Sequence, residues 1–135
     1  MGNLTNKIGL TTTVSYTSNK FINDQSHIGY KTVIIAAAAR DSGASPTTTL
    51  REGLVLGKIT ASKKYAQYDD SAADGTEVAD LILAEQVDLV NLQTNAAVDN
   101  TALCVYQARV ENGALIGIDA NGRTDLAGRI VFDNV

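Results

Sequence analysis

Few side chains in this sequence have the chemistry of a catalyst. The chain has 135 residues, with one histidine, His27, and one cysteine, Cys104. A Ser-His-Asp triad needs its histidine beside a nucleophile, with an acidic residue behind it, and no spacing here places His27 in that way. A structural zinc site needs about four Cys or His ligands, which is more than the chain contains. The sequence therefore predicts no catalytic residue, no metal site and no cofactor.

Acidic residues and glycines form the other candidate motifs. Asp69, Asp70 and Asp74 cluster just before Gly75, but a calcium loop needs oxygen ligands at alternating positions and a closing glutamate. Residues 71–73 break that alternation, so a solvated turn is the better interpretation. The glycines also lack the spacing of a phosphate-binding loop, because neither Gly-x-Gly-x-x-Gly nor Gly-Lys-Ser/Thr occurs. We therefore expect no small-molecule substrate.

Charge and hydropathy argue against two kinds of partner. The net charge is −4 and the pI is about 4.8. Nucleic-acid binding needs grouped cations, and Lys63 and Lys64 are the only adjacent pair. The longest apolar run, residues 33–39, is too short to cross a bilayer, and the start of the chain lacks the regions of a signal peptide. We expect a protein made in a cytoplasm that binds neither nucleic acid nor membrane.

Short strands separated by turns dominate the pattern. Residues 33–35 are β-branched, and residues 54–60 and 65–68 are short runs between turns, which favours a β-meander or small barrel. Residues 102–110 and 129–132 predict two further strands. Cys104 lies in the apolar run of the first of these, so we expect a buried thiol. As the only cysteine, it cannot form a disulfide within the chain.

Three segments are harder to assign. Residues 77–90 fit either a helix or a buried strand, and apolar residues at helical spacing make the local pattern favour a helix. Asn112-Gly113 predicts a hairpin turn from which residues 115–118 pair back. Residues 124–127 predict a single helical turn before the last strand.

A glycine-punctuated motif in the middle third of the chain carries a family resemblance. Its positions are Leu50, Gly53, Leu56, Gly57, Tyr65, Tyr68, Asp69, Asp74, Gly75, Ile82 and Leu83. Together with a closing strand at residues 128–132, this motif resembles the phage head decoration proteins similar to lambda protein D. Leu81 and Asp80 depart from the family pattern. A charged Asp80 within an expected strand suggests an exposed edge or a local helix.

The residues and the resemblance together imply a mainly β fold with minor α content, of the α+β class. We expect a small β-meander or barrel-like domain with an extended N-terminal arm. Residues 1–32 are assigned to the arm and residues 33–135 to a single β-rich domain. The arm is polar and weakly patterned, and its β-capable segment is expected to make the capsid contacts. That segment comprises Thr11, Thr12, Thr13, Val14, Ser15, Tyr16 and Thr17.

The resemblance also implies a function. Proteins of this family are non-enzymatic cement proteins that bind the major capsid protein on the outside of an expanded phage head. They act as homotrimers and stabilise the head against the pressure of packaged DNA. The expected location is the capsid exterior of the virion, after synthesis in the host cytoplasm. The alternative is a structural or adhesin module associated with a phage tail or fibre.

Overall fold

The computed structural model describes residues 21–24 and 26–135, and strands are the main regular structure in them. In chain order the strands are β1 (Gly29–Ile35), β2 (Thr49–Leu50), β3 (Val55–Lys58), β4 (Tyr65–Gln67), β5 (Ala79–Leu83), β6 (Val87–Asp88), β7 (Asn100–Glu111) and β8 (Ile130–Asp133). One α-helix, α1 (Ala120–Leu126), precedes β8, and Asn112–Ala114 form a 3₁₀ turn. No helix in the described ranges is long and apolar enough to cross a membrane.

Five of the strands close into a barrel. Their order is β1-β4-β3-β5-β7, and β7 returns to pair antiparallel with the whole of β1. The pairs β3–β4, β3–β5 and β5–β7 are also antiparallel. By contrast, β1 and β4 run parallel and pair only at Ile35 and Tyr65. This closed ring confirms the predicted barrel-like, mainly β fold.

The remaining strands lie outside the ring. Strand β8 pairs parallel with the last part of β7, and β2 pairs with β6 in a separate two-stranded sheet. Because β8 and α1 cover the outer surface of the barrel, the domain has two hydrophobic cores rather than one. The inner core fills the barrel and includes Leu50, Leu54, Leu56, Leu81, Leu83 and Cys104. The outer core lies beneath α1 and β8 and includes Phe21, Val55, Ile82, Val105, Leu126 and Ile130.

The two cores explain why residues 77–90 were hard to assign. The favoured helix is wrong, because the segment forms β5 and β6. Leu81 and Leu83 face the inner core while Ile82 faces the outer core. A strand that is buried on both faces has an unbroken apolar run instead of alternation. Periodicity alone cannot distinguish such a run from a buried helix.

The strand tolerates the charged Asp80 because this residue occupies a β-bulge. The expected explanations, an exposed edge or a local helix, are both wrong. Leu56 pairs with Leu81 and Gly57 pairs with Ala79, so Asp80 is the extra residue on β5. A bulged residue leaves the regular ladder and its side chain is re-aimed. The Asp80 carboxylate accepts a hydrogen bond from the Tyr65 hydroxyl at 2.8 Å.

A second bulge, in β7, lets one strand serve both cores. Tyr30 pairs with Val105 and Gly29 pairs with Gln107, so Tyr106 is the extra residue. An insertion of one residue exchanges the two faces of a strand. Even-numbered residues before the bulge, such as Cys104, therefore face the inner core, and those after it, such as Val110, face the outer core.

The hairpin predicted after β7 does not form. Val110, near the end of β7, pairs with Phe132 on one edge and bridges Ile22 on the other, so no edge is free for residues 115–118. Ile116 instead bridges Leu54. The predicted helical turn at residues 124–127 is longer than expected. It begins at Ala120, because the Asp119 side chain caps the helix by accepting from the Gly122 N–H.

Gly75 shows why the glycine-punctuated motif contains glycines. Its φ is +110°, and a Cβ there would lie 2.3 Å from the carbonyl oxygen of Lys58. L-residues strongly disfavour this conformation, and the barrier here is backbone that cannot move aside. The loop of residues 69–76 therefore reaches β3 only because position 75 has no side chain.

We expect Gly75→Ala to destabilise the domain by about 2 kcal/mol or more, because backbone strain and a backbone clash add together. Gly113→Ala is the matched control, since a Cβ at Gly113 would meet nothing within 4 Å. Urea unfolding at one protein concentration would compare the two variants with the unmodified protein. An alanine at position 75 that leaves the unfolding midpoint unchanged would contradict this account of the motif.

Candidate functional site

The chain enters the described domain through residues 21–23, which we call the arm root. The Phe21 carbonyl accepts from the Glu111 N–H at 2.8 Å, and the Asn23 N–H donates to the Arg109 carbonyl at 2.9 Å. Between them Ile22 bridges Val110. The arm root is thus a short added strand on the edge of β7. The point at which the chain enters the described domain is therefore fixed at this end of the barrel.

Side chains hold the arm root as well as the main chain. Phe21 is 2% exposed and packs in the outer core. The Asn23 amide donates to the Asp133 carboxylate at 2.9 Å, and the Arg109 guanidinium binds the same carboxylate at 2.9 Å. Arg109 first, and Asn23 second, lower the pKa of Asp133. An exposed ion pair of this kind contributes little energy, so its main effect is to hold three chain segments in register.

The predicted boundary between arm and domain differs from the start of the folded domain in the structure. Strand β1 begins at Gly29, and both Phe21 and Ile22 are buried. The predicted boundary at residue 32 therefore falls inside β1. The predicted arm contacts at residues 11–17 lie outside the described residues. We therefore use the name arm for residues 1–20, which precede the arm root.

A pocket of about 470 Å³ lies beside the arm root. Its lining consists of Phe21, Arg51, Glu52, Gln86, Ala114 and Ile116. Arg51 and Glu52 precede a turn at Gly53, which has a φ of +90° and whose N–H donates to the Leu83 carbonyl at 2.8 Å. Because its lining combines apolar and polar side chains, the pocket can accept an apolar side chain from a partner.

One lining residue of this pocket, Arg51, forms an ion pair with the buried Asp41. Arg51 Nε lies 2.8 Å from Asp41 Oδ2, and Arg51 Nη2 lies 2.8 Å from Asp41 Oδ1. The carboxylate also accepts from the main-chain N–H groups of Arg51 and Gly43. The hydrogen bond from the Arg51 side chain is the main cause that lowers the pKa of Asp41. A two-pronged pair supported by backbone donors fixes geometry well.

The two tyrosines of the motif anchor opposite sides of the barrel wall. Tyr65 lies in the inner core and donates to Asp80. Tyr68 lies in the outer core and donates to Asp119 Oδ1 at 2.8 Å, the same oxygen that caps α1. Burial first, and the acidic partner second, raise the pKa of both tyrosines. Sequence reasoning did not connect either acid with its tyrosine, because the partners are 15 and 51 residues apart along the chain.

The acids of the motif are used within their own loop. The Asp69 carboxylate accepts from the Ser71 N–H and hydroxyl, and the Asp74 carboxylate accepts from the Thr76 N–H and hydroxyl. These hydrogen bonds lower the pKa of both acids. Such side-chain turns are a standard way of closing a loop.

The other motif residues occupy the cores or close contacts. Leu50, Leu56 and Leu83 lie in the inner core and Ile82 in the outer core. A Cβ at Gly57 would lie 2.6 Å from the Cα of Thr76. The motif residues therefore build the barrel and its two cores, and they do not converge on one reactive centre.

The side chains with catalytic potential are arranged in other ways. Ser26 Oγ donates to Asp24 at 2.6 Å and lies 2.8 Å from His27 Nδ1. The acid thus binds the serine, whereas in a triad it orients the imidazole. The thiol of Cys104 is buried, as predicted, and burial raises its pKa to about 12. In the part of the chain that the structure describes, no three His, Cys, Asp or Glu residues are grouped to hold a metal ion.

Comparison with known proteins places these features in a family context. The family model described as "Bacteriophage lambda head decoration protein D" matches residues 11–128. The matched range contains the segment at residues 11–17 and every position of the glycine-punctuated motif. No curated protein matches the chain.

We expect Asp41→Asn to destabilise the protein by about 1–3 kcal/mol at neutral pH, because a buried group loses charge-assisted hydrogen bonds. Since the pKa of Asp41 is lowered in the folded state, its contribution is present above the pKa of an unfolded aspartate, about 3.9. The contribution is lost as the pH falls through the lower, folded value. The stability gap between the two proteins should therefore narrow below about pH 4.

Urea unfolding of both proteins across that pH range would measure the gap. Asp70→Asn is the matched control, since Asp70 is exposed and its carboxylate accepts from the Asn121 amide. We expect that control to change stability by less than about 0.5 kcal/mol. A gap for Asp41→Asn that stays constant down to the lowest pH would contradict the assignment.

Proposed function

The chain belongs to the family of bacteriophage lambda head decoration protein D, and on that premise we propose that it is a capsid cement protein that grips a phage head through its N-terminal arm. Family membership supports a capsid decoration role and a place on the virion capsid. We further propose that residues 1–20 bind the major capsid protein and that the chain assembles as a homotrimer. In this state it stabilises an expanded head against the pressure of packaged DNA.

The observation that carries the proposal is the anchoring of the arm root. Main-chain bonds at Phe21 and Asn23 and burial of the Phe21 side chain fix the point from which residues 1–20 leave the domain. The segment of residues 11–17 is rich in threonine and contains Val14 and Tyr16, which are residue types that favour strands. An arm of this kind can add a strand to a sheet edge of a partner through main-chain hydrogen bonds.

A rigid barrel lets such an arm bear mechanical load. The barrel is closed, and both faces of its central strands are packed. Tension on the arm would therefore be transmitted to β7 through the hydrogen bonds of the arm root, and the packed barrel would resist deformation. The pocket beside Phe21 offers a second contact for a capsid side chain. We propose no catalytic step, no cofactor and no small-molecule substrate for this function.

Self-association would increase the overall affinity of the arms for the capsid. Three arms held together bind with higher avidity than one arm alone, because the second and third contacts form at a high effective concentration. Large apolar side chains are exposed on β7 and β8 and are available for burial between copies. They are Leu103, Tyr106 and Val131. A homotrimer is the proposed state.

We expect prolines at Thr12, Val14 and Tyr16 together to abolish binding to expanded phage heads, because proline cannot donate the main-chain hydrogen bonds of an added strand. The control is the combination Thr12→Ser, Val14→Ile and Tyr16→Phe, which keeps every main-chain donor. Co-sedimentation with purified heads measures binding, and circular dichroism checks the fold. Proline variants that sediment with heads as well as the control does would refute strand addition by the arm.

The assembly state has a direct test. Native mass spectrometry is expected to give a species of three times the 14.2 kDa chain mass. We also expect Leu103→Lys to shift that species towards single chains, since a charge would be placed in an apolar contact. A lone monomer at every concentration tested would rule out the homotrimer.

A further inference from the structure

The barrel ring is closed by the fewest paired residues between β1 and β4. These strands form a ladder only at Ile35 and Tyr65, where the Ala36 N–H donates to the Tyr65 carbonyl at 2.9 Å. Before that point β1 and β4 have no further paired residues, and a gap lies between β1 and the turn that precedes β4. The gap is a groove of about 350 Å³. We call it the seam groove, and its lining includes Lys31, Thr32, Ile34, Lys58, Lys63 and Lys64.

One edge of the seam groove presents main-chain groups. Thr32 lies opposite Leu103 in the antiparallel β1–β7 ladder. The Leu103 N–H donates to Glu85 and the Leu103 carbonyl accepts from the Ala84 N–H, so Leu103 directs both groups away from β1. In an antiparallel ladder both members of such a pair point outward. The N–H and C=O of Thr32 therefore point into the groove, where an added strand would bind them.

The walls of the seam groove are positively charged although the whole chain has a net charge of −4. Four of the eleven basic residues lie there. Lys64 pairs with Asp99 at 2.5 Å. Within the described residues, Lys31, Lys58 and Lys63 have no carboxylate within 4.0 Å. Like charges brought together in this way favour a ligand with negative groups.

We propose that the seam groove is a second docking site, which binds an extended acidic polypeptide segment from another protein by strand addition to β1. Thr32 supplies the main-chain bonds, Ile34 supplies an exposed apolar contact, and the lysines bind carboxylates on the added strand. A segment with acidic residues near apolar or β-branched ones has the matching chemistry.

Segments of this chain itself fit the groove poorly. Residues 1–20 contain Lys7 and Lys20 and no carboxylate, so the arm of another copy has the wrong charge. The acidic loop at residues 69–74 is not an extended strand, because Asp69 and Asp74 already close turns with Ser71 and Thr76. An acidic segment of a different protein is therefore the occupant that charge and shape favour.

Binding of short fluorescent peptides to the full chain tests the proposal. The probe alternates glutamate with valine and threonine. We expect it to bind with an affinity that falls as salt is raised and to shift the amide resonance of Thr32. A peptide with N-methyl groups on alternate amides has the same charge but fewer donors, and it should bind at least about fivefold more weakly.

Variants of the protein separate local charge from net charge. Lys58→Glu with Lys63→Glu should weaken probe binding about tenfold, as expected for the loss of two exposed ion pairs and the gain of repulsion. Arg40→Glu with Arg123→Glu changes the net charge equally outside the lining and should leave binding unchanged. Thr32→Pro removes only a donor that faces the groove, so the β1–β7 ladder and the thermal unfolding midpoint should persist while probe binding is lost.

Three results would overturn the proposal: equal loss in both charge-reversed proteins, equal binding of the N-methylated probe, or equal binding of a single-stranded oligonucleotide of matched charge. The N-methylated probe decides the question even if Thr32→Pro fails to fold. A protein that lacks residues 1–20 should still bind the probe, so a failure of this site and a failure of the arm are told apart.

Discussion

Strand β7 is the element on which the rest of the structure depends. It extends from Asn100 to Glu111 and pairs with β1, β5 and β8, and it also pairs with the arm root. The pairing with β1 closes the barrel, while the pairing with β8 and residues 21–23 builds the second layer. Without β7 the inner core would be open on one side and the arm root would have no edge to bind. A strand with so many partners must satisfy several neighbours with a single alternation of side chains.

The bulge at Tyr106 resolves that conflict. It exchanges the faces of β7 halfway along its length, so Ala102 and Cys104 fill the barrel while Ala108 and Val110 support the outer layer. Gly29 lies opposite, and a Cβ there would be 2.6 Å from the Tyr106 ring. The bulge at Tyr106 therefore requires a glycine at position 29. The bulge at Asp80 acts similarly on β5, where it turns a carboxylate towards Tyr65.

These devices mark the limit of what could be read from the sequence. The fold class, the strands around Leu56 and Cys104, and the turn role of Gly75 could be predicted, because short-range alternation and turn chemistry encode them. The bulges could not, since an inserted residue is recognised only against its partner strand. The arm root left a faint signal, an isolated Phe21-Ile22 pair in a polar stretch. Its pairing with Val110 joins residues too distant along the chain for any local pattern to connect.

The arm root also has an energetic consequence for binding. Any chain segment that becomes ordered on a partner loses conformational entropy, at about 1–2 kcal/mol for each residue fixed. Residues 21–23 are already fixed against β7, so in the proposed binding mode they add nothing to that cost. Residues 51–135 carry seven basic and thirteen acidic residues, whereas residues 1–20 carry only two lysines. In the proposed binding mode, attraction between the basic arm and the acidic body would compete with capsid binding. In the proposed trimer, each arm would dock from a defined point on its own domain, and the ordering cost of each arm would be offset separately.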